Sequence, residues 1–173
     1  MGNRANVIFV DEKEEHISPC VYLHWNGGPE SIYSFINELN RRIIRNDQNY
    51  ECSRFIQLVG EFFDIDSIDN LSLGITNGPK KITIENLKKI HTDQSDNGFY
   101  VICRHSCLKD DFSVRRFVTD YKDDIYTLRE YTKAEVEVER EAAYKSDYIQ
   151  SIHESFIKIQ GTRTIGIVIN KKC

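Results

Sequence analysis

Cys103, His105 and Cys107 alternate along the pentapeptide CRHSC, so on a strand all three would face one side and offer soft ligands to a metal. Zinc sites pair such ligands at tighter, recurring spacings, and no second cluster stands elsewhere in the chain to complete this one. His16-x-Ser18 and His153-x-Ser155 form a pair of His-x-Ser triplets, an arrangement in which one imidazole acts as general base and the other as general acid. The first triplet lies in an acidic loop after Glu14 and Glu15 and the second inside a helical pattern, whereas such triplets work from strands. No Gly-x-Ser-x-Gly elbow or other nucleophile signature is present. Neither pattern is complete enough to carry metal binding or catalysis, and the thiols read as buried and the histidine as exposed.

The stretch YLHWNGGPES, residues 22 to 31, sets the largest aromatic side chain, Trp25, beside Asn26, Gly27 and Gly28 at the entry to a helix. A turn needs the glycines but not the tryptophan, and helix N-termini with Gly-rich approaches can hold a phosphate. Glu30 opposes an anion there, and neither a Walker loop nor GxGxxG is present. Arg54, the Asn97-Gly98-Phe99 turn and the pair Arg115-Arg116 could complete a pocket: arginines grip a diphosphate bidentately and aromatic faces stack on a base. Neighbouring strand residues face opposite ways, so only one of Arg115 and Arg116 can point into a given site. Taken singly, each of these residues is more often a surface salt bridge, a turn asparagine or a core aromatic than a ligand contact.

These side chains need a scaffold. With 173 residues, 40% of them hydrophobic, the chain can bury one sizeable core. The net charge of -4 argues against a general DNA or RNA binder, whose affinity would come from many phosphate contacts. No apolar run is long enough to span a bilayer, and MGNRANVIFVDEKEEH lacks the pattern of a cleaved leader. Five scattered cysteines suit reduced thiols, so the expected compartment is the cytoplasm.

Periodicity predicts strands over 4–10 and 20–25 joined by the charged loop DEKEEHISP. A first amphipathic helix over 29–45 carries Ile32, Phe35, Ile36, Leu39 and Ile43, and a second over 50–63 carries Phe55, Ile56, Val59, Phe62 and Phe63. Extended segments follow at 71–76, 80–84, 98–104 and 112–119. From 123 a charge-rich stretch without Gly or Pro reads as one long or broken helix, and GTRTIGIVINKKC as a terminal strand. The expected fold class is α+β: an antiparallel sheet packed with two helices, plus a long C-terminal helical extension and a terminal strand. Residues 1–120 form the expected ligand-binding core, and 121–173 an extension suited to oligomerisation.

The segments GNRANVIF, YLHWNGGPESIYSF, RFIQLVGEFF and DNGFYVI together resemble the phage-encoded Thoeris anti-defence family of the first-described, signal-sponge type, over roughly the first 120 residues. The resemblance implies a small, non-catalytic protein of the infected host's cytoplasm. It would bind cyclic ADP-ribose isomers made by TIR-domain enzymes, as a homodimer or larger assembly, without a cofactor or metal. Some members hold cyclic oligonucleotides at a separate site. It further implies that Arg54 and one of Arg115 and Arg116 contact the diphosphate and that Asn97 touches the ligand. Trp25 and Phe99 join them as stacking candidates on chemical grounds, with Asn26, Gly27 and Gly28 forming the corner. The long stretch after 123 departs from the shorter members. A nucleotide phosphodiesterase and a protein-binding module built on the acidic helix are the alternatives.

Overall fold

The run ANVIFV is buried at every residue, which requires a covering layer on both faces of the strand it forms. In the computed structural model, which describes residues 3–42, 47–63, 73–90, 96–105, 112–122, 125–147 and 149–158, this run is the central strand β1, Ala5–Val10. Around it lie β2 (Cys20–Leu23), β3 (Leu73–Thr76), β4 (Phe99–Arg104), β5 (Phe112–Lys122) and β6 (Ile125–Glu130), in the sheet order β3-β2-β1-β4-β5-β6.

The fold is α+β, as the pattern predicts, but the sheet is mixed rather than wholly antiparallel. β1 pairs with β4 in parallel, Asn6 opposite Phe99 and Val10 opposite Cys103, while the other pairings are antiparallel. Parallel pairing needs a connection that carries the chain back to the same end of the sheet. The two helices and β3 between β2 and β4 supply it.

α1 (Pro29–Arg42) and α2 (Gln48–Phe62) bury the predicted stripes: Ile32, Phe35, Ile36 and Leu39 from the first, Phe55 and Val59 from the second. Ile43 lies outside the described residues. Asp47 caps α2 by accepting from the N–H groups of Asn49 and Tyr50 at 3.0 and 2.9 Å. The segment 80–84 is not a strand. Thr83 accepts from Asn86 N at 3.2 Å and starts a short helix, α3 (Ile84–Lys88), so local capping overrides the β-branched run.

The stretch after 123 opens with a strand. β6 pairs with β5 from Phe117–Glu130 to Lys122–Ile125, and residue 120 therefore lies inside a hairpin of the central sheet. Only then does helix begin. Thr132 and Glu135 form a reciprocal capping box at the start of α4 (Lys133–Tyr144), and a further helical stretch, α5, spans 149–158. The expected terminal strand falls outside the described residues. Ala143, Ile152 and Phe156 pack into the main core with α1, α2 and the Val7, Phe9 and Tyr100 face of the sheet. The opposite face buries Ile8, Val10, Phe99, Val101 and Phe117 against Ile82 and Leu87.

Candidate functional site

Mixed topology decides which loops meet. Because β1 and β4 run parallel and β2 runs antiparallel to β1, the starts of β1 and β4 and the end of β2 lie at one edge of the sheet. The Trp25 to Gly28 corner and the Asp96 to Gly98 turn therefore adjoin. Gly27 N donates to Asn3 O at 2.7 Å, Asn97 N donates to Arg4 O at 2.9 Å, and Tyr100 Oη donates to Gly27 O at 3.2 Å. Asn97 Nδ2 also donates to Asn3 Oδ1 and, at 3.1 Å, to Arg4 O.

Backbone requirements fix the residue types here. Asn26 has φ 55°, which asparagine tolerates better than most residues, and Gly98 has φ 65°. A Cβ on Gly27 would stand 2.6 Å from Ala5 Cβ and from the Arg4 carbonyl carbon, so only glycine fits against β1. Trp25 is not core: it is 44% exposed, edge-on to His24 with ring centroids 4.9 Å apart.

Arg116, not Arg115, reaches this edge. Its guanidinium donates to Phe99 O and Phe117 O at 3.2 and 3.1 Å and to Asn97 O, pairs with Glu139 at 3.1 Å, and lies 3.8 Å from the Tyr100 ring centroid. It is 2% exposed, so it ties α4 to the sheet beneath the turn. Burial pushes the Tyr100 and Tyr33 hydroxyls well above the usual phenol range. Arg4 lies nearer the surface and donates to Asp96 at 3.0 Å, which holds that carboxyl below its ordinary value.

The helix start offers little to an anion. Pro29 has no N–H, and the N–H groups of Ser31 and Ile32 both turn back to Gly28 O at 3.1 and 3.0 Å. Glu30 reaches over the same turn: its Oε2 would lie 3.1 Å from a Cβ on Gly28. The cations at this edge are Arg4 and the buried Arg116.

Three expected site residues stand apart. Arg54 projects from α2 and donates to Gln57 Oε1 and Tyr50 Oη, both at 2.7 Å and both on its own helix, while α2 meets the far end of β1 through Phe55 and Phe9. Arg115 faces the other side of the sheet, bound to Glu130 at 2.6 Å and Glu14 at 2.7 Å. Phe99 is core on that second face, and only its carbonyl serves the edge. Asn3, Arg4, Tyr100 and Glu139 belong to the edge without a spacing signal to mark them, since their contacts there span 23 to 94 residues of chain.

Where they are described, the residues of the catalytic and metal alternatives are engaged with local partners. Burial pushes the Cys103 thiol up to about 11, His105 Nε2 lies 3.0 Å from Ser113 Oγ, and Cys107 is outside the described residues. Among the described residues no group of three or more His, Cys, Asp or Glu side chains could hold a metal. Ser18 Oγ donates to Pro19 O and Ser155 Oγ to Ser151 O, so both triplet hydroxyls are committed to backbone. His16 lies in the β1–β2 loop against Asp11 at 2.9 Å, and His153 on α5 against Arg41.

The fold is α+β, and at this edge two glycine turns meet, the first carrying the exposed Trp25 and the second bound by Arg4 and the buried Arg116. Comparison of the chain with protein-family models, with characterised proteins and with solved structures gives no match. No helix among the described residues is long and apolar enough to cross a membrane.

Proposed function

We propose that this chain is a non-catalytic binder that sequesters a cyclic ADP-ribose-type nucleotide in the cytoplasm of an infected bacterial host. The observation that carries the reading is the meeting of the Gly27-Gly28 corner and the Asn97-Gly98 turn beside an exposed Trp25 and the guanidiniums of Arg4 and Arg116. A base stacks on Trp25, and the Asn97 turn meets the ribose or base edge. The diphosphate competes with Asp96 for Arg4 and with Glu139 for Arg116, which charge-assisted bonds to two phosphates can outweigh. Sequestration needs enclosure and no acid-base pair.

One subunit's edge encloses little of such a ligand, so the working form in this proposal is a homodimer or larger assembly. Val138 on α4 and Ile157 on α5, 69% and 56% exposed, supply apolar surface for that contact. Arg54, on the outward side of α2, then serves a neighbouring copy's ligand.

Calorimetry with cyclic ADP-ribose isomers, followed by heat release and mass spectrometry of the ligand, tests this reading. Tight binding with intact ligand returned is the expected outcome. A cleaved product would make the protein an enzyme, and no heat with any isomer would end the nucleotide reading. Trp25→Ala should weaken binding by about 1 to 3 kcal/mol, the value of one base stack.

A further inference from the structure

A separate cleft opens between the second half of α1 and α5. It is a cavity of about 270 Å3 with Asn37, Arg41, Gln150 and His153 among its polar lining and Ile149 and Phe156 among its apolar lining. Arg41 Nη1 lies 2.9 Å from His153 Nδ1 and 3.3 Å from Nε2. A nitrogen that close to both ring nitrogens cannot lie in the ring plane without striking the carbon between them. Nη1 therefore sits over the imidazole face, and the in-plane edges of both ring nitrogens point elsewhere.

Glu38 lines the same cleft and is shared by the cations around it. Its Oε2 forms long ion pairs with Arg41 at 3.5 Å and with His153 Nδ1 at 3.9 Å, so an anion in the cleft competes with this carboxylate for Arg41. Its Oε1 accepts from Arg42 Nε at 2.7 Å, and Arg42 also reaches Glu61. The Arg41 fork and an imidazole N–H, set out of one plane above an apolar floor, match three oxygens of a tetrahedral group better than the two coplanar oxygens of a carboxylate.

We propose that this cleft binds a small phosphate monoester, its phosphate on Arg41 and His153 and its apolar part against Ile149 and Phe156. The site is independent of the Trp25 edge and uses none of its residues. An imidazole carries at least one N–H in either protonation state, so the phosphate has a donor at any pH near neutral. A volume of about 270 Å3 suits one ring and one phosphate rather than a dinucleotide.

The test uses the full chain and phenyl phosphate, read by the imidazole nitrogen resonances of His153 in long-range proton–nitrogen spectra. Those resonances should shift and saturate, with binding at least about tenfold weaker in Arg41→Gln, the worth of one charge-assisted hydrogen bond. Arg41 is 43% exposed on its side chain, so the variant should fold, and an unchanged melting midpoint checks that it does. Benzoate should bind more weakly than phenyl phosphate, and so should inorganic phosphate. An unmoved His153, an equal response in Arg41→Gln, or benzoate or inorganic phosphate binding as well as phenyl phosphate would each overturn the proposal.

Discussion

Glu51 on α2 meets Arg104 on β4 at 3.3 Å with side-chain exposures of 1% and 0%, and this buried pair makes folding depend on pH near neutrality. Loss of hydration pushes the Glu51 carboxyl up to about 7 from 4.5; Arg104 opposes that rise only in part and Asp47 adds to it. Between those values the folded protein keeps a proton that the unfolded chain has released. The associated stability is fully present below pH 4.5 and is lost as pH rises through about 7. At 1.36 kcal/mol for each pH unit the difference amounts to about 3 kcal/mol, most of which falls between pH 5 and pH 8. Glu51→Gln keeps the volume, still offers Arg104 a carbonyl oxygen and cannot ionise. Urea unfolding followed by circular dichroism at pH 5 and pH 8 should show the wild type losing about 2 to 3 kcal/mol more than the variant over that interval. His16, raised by its hydrogen bond to Asp11, titrates in the same window but is present in both proteins and cancels. Asp11 and Asp96, both lowered by their partners, lose their contributions only at more acid pH. Equal pH slopes in the two proteins would refute the reasoning.

Replacing Gly27 by alanine should cost about 1 to 3 kcal/mol, because its Cβ must displace β1 backbone and the Ala5 side chain. An unchanged thermal midpoint would show that the corner can relax. The adjacent arginines should part company: Arg116→Ala, which strands three carbonyls and Glu139 beneath the turn, should cost about 3 to 5 kcal/mol. Arg115→Ala, at a site 37% exposed, should cost no more than about 1 kcal/mol. Similar losses in chemical denaturation would contradict the assignment of the two side chains to opposite faces. Light scattering on the full chain should give at least twice the subunit mass of 20.2 kDa, and a monomer that still binds nucleotide tightly would remove the shared-pocket part of the proposed function.

Several elements could be read without coordinates because their signals are local. The stripes of α1 and α2 repeat at the helical period, so each is settled within a few residues, whereas the Asp47 cap that starts α2 at Gln48 went unread. The demand for glycine at a tight corner after β2 was equally visible in the sequence, as was the rule that Arg115 and Arg116 must diverge. Two local readings failed for opposite reasons. At 80–84 a capping threonine outweighed β-propensity, whereas after 123 the six-residue strand IYTLRE runs without Gly or Pro into a charge-rich helix and was absorbed into its pattern.

Sequence by itself determined the α+β class, the two amphipathic helices and the turn chemistry of the Trp25 to Gly28 and Asp96 to Gly98 segments. Only tertiary structure decided which of those turns meet, which arginine of the pair serves them and that Arg54 does not. The physical reason is strand direction. Whether β4 runs with or against β1 costs nothing that a window of neighbouring residues can register, yet it chooses the end of the sheet at which Asn97 emerges. Parallel pairing puts Asn97 beside Asn3 and Gly27; antiparallel pairing of the same two strands would have sent it to the opposite end, near Val10.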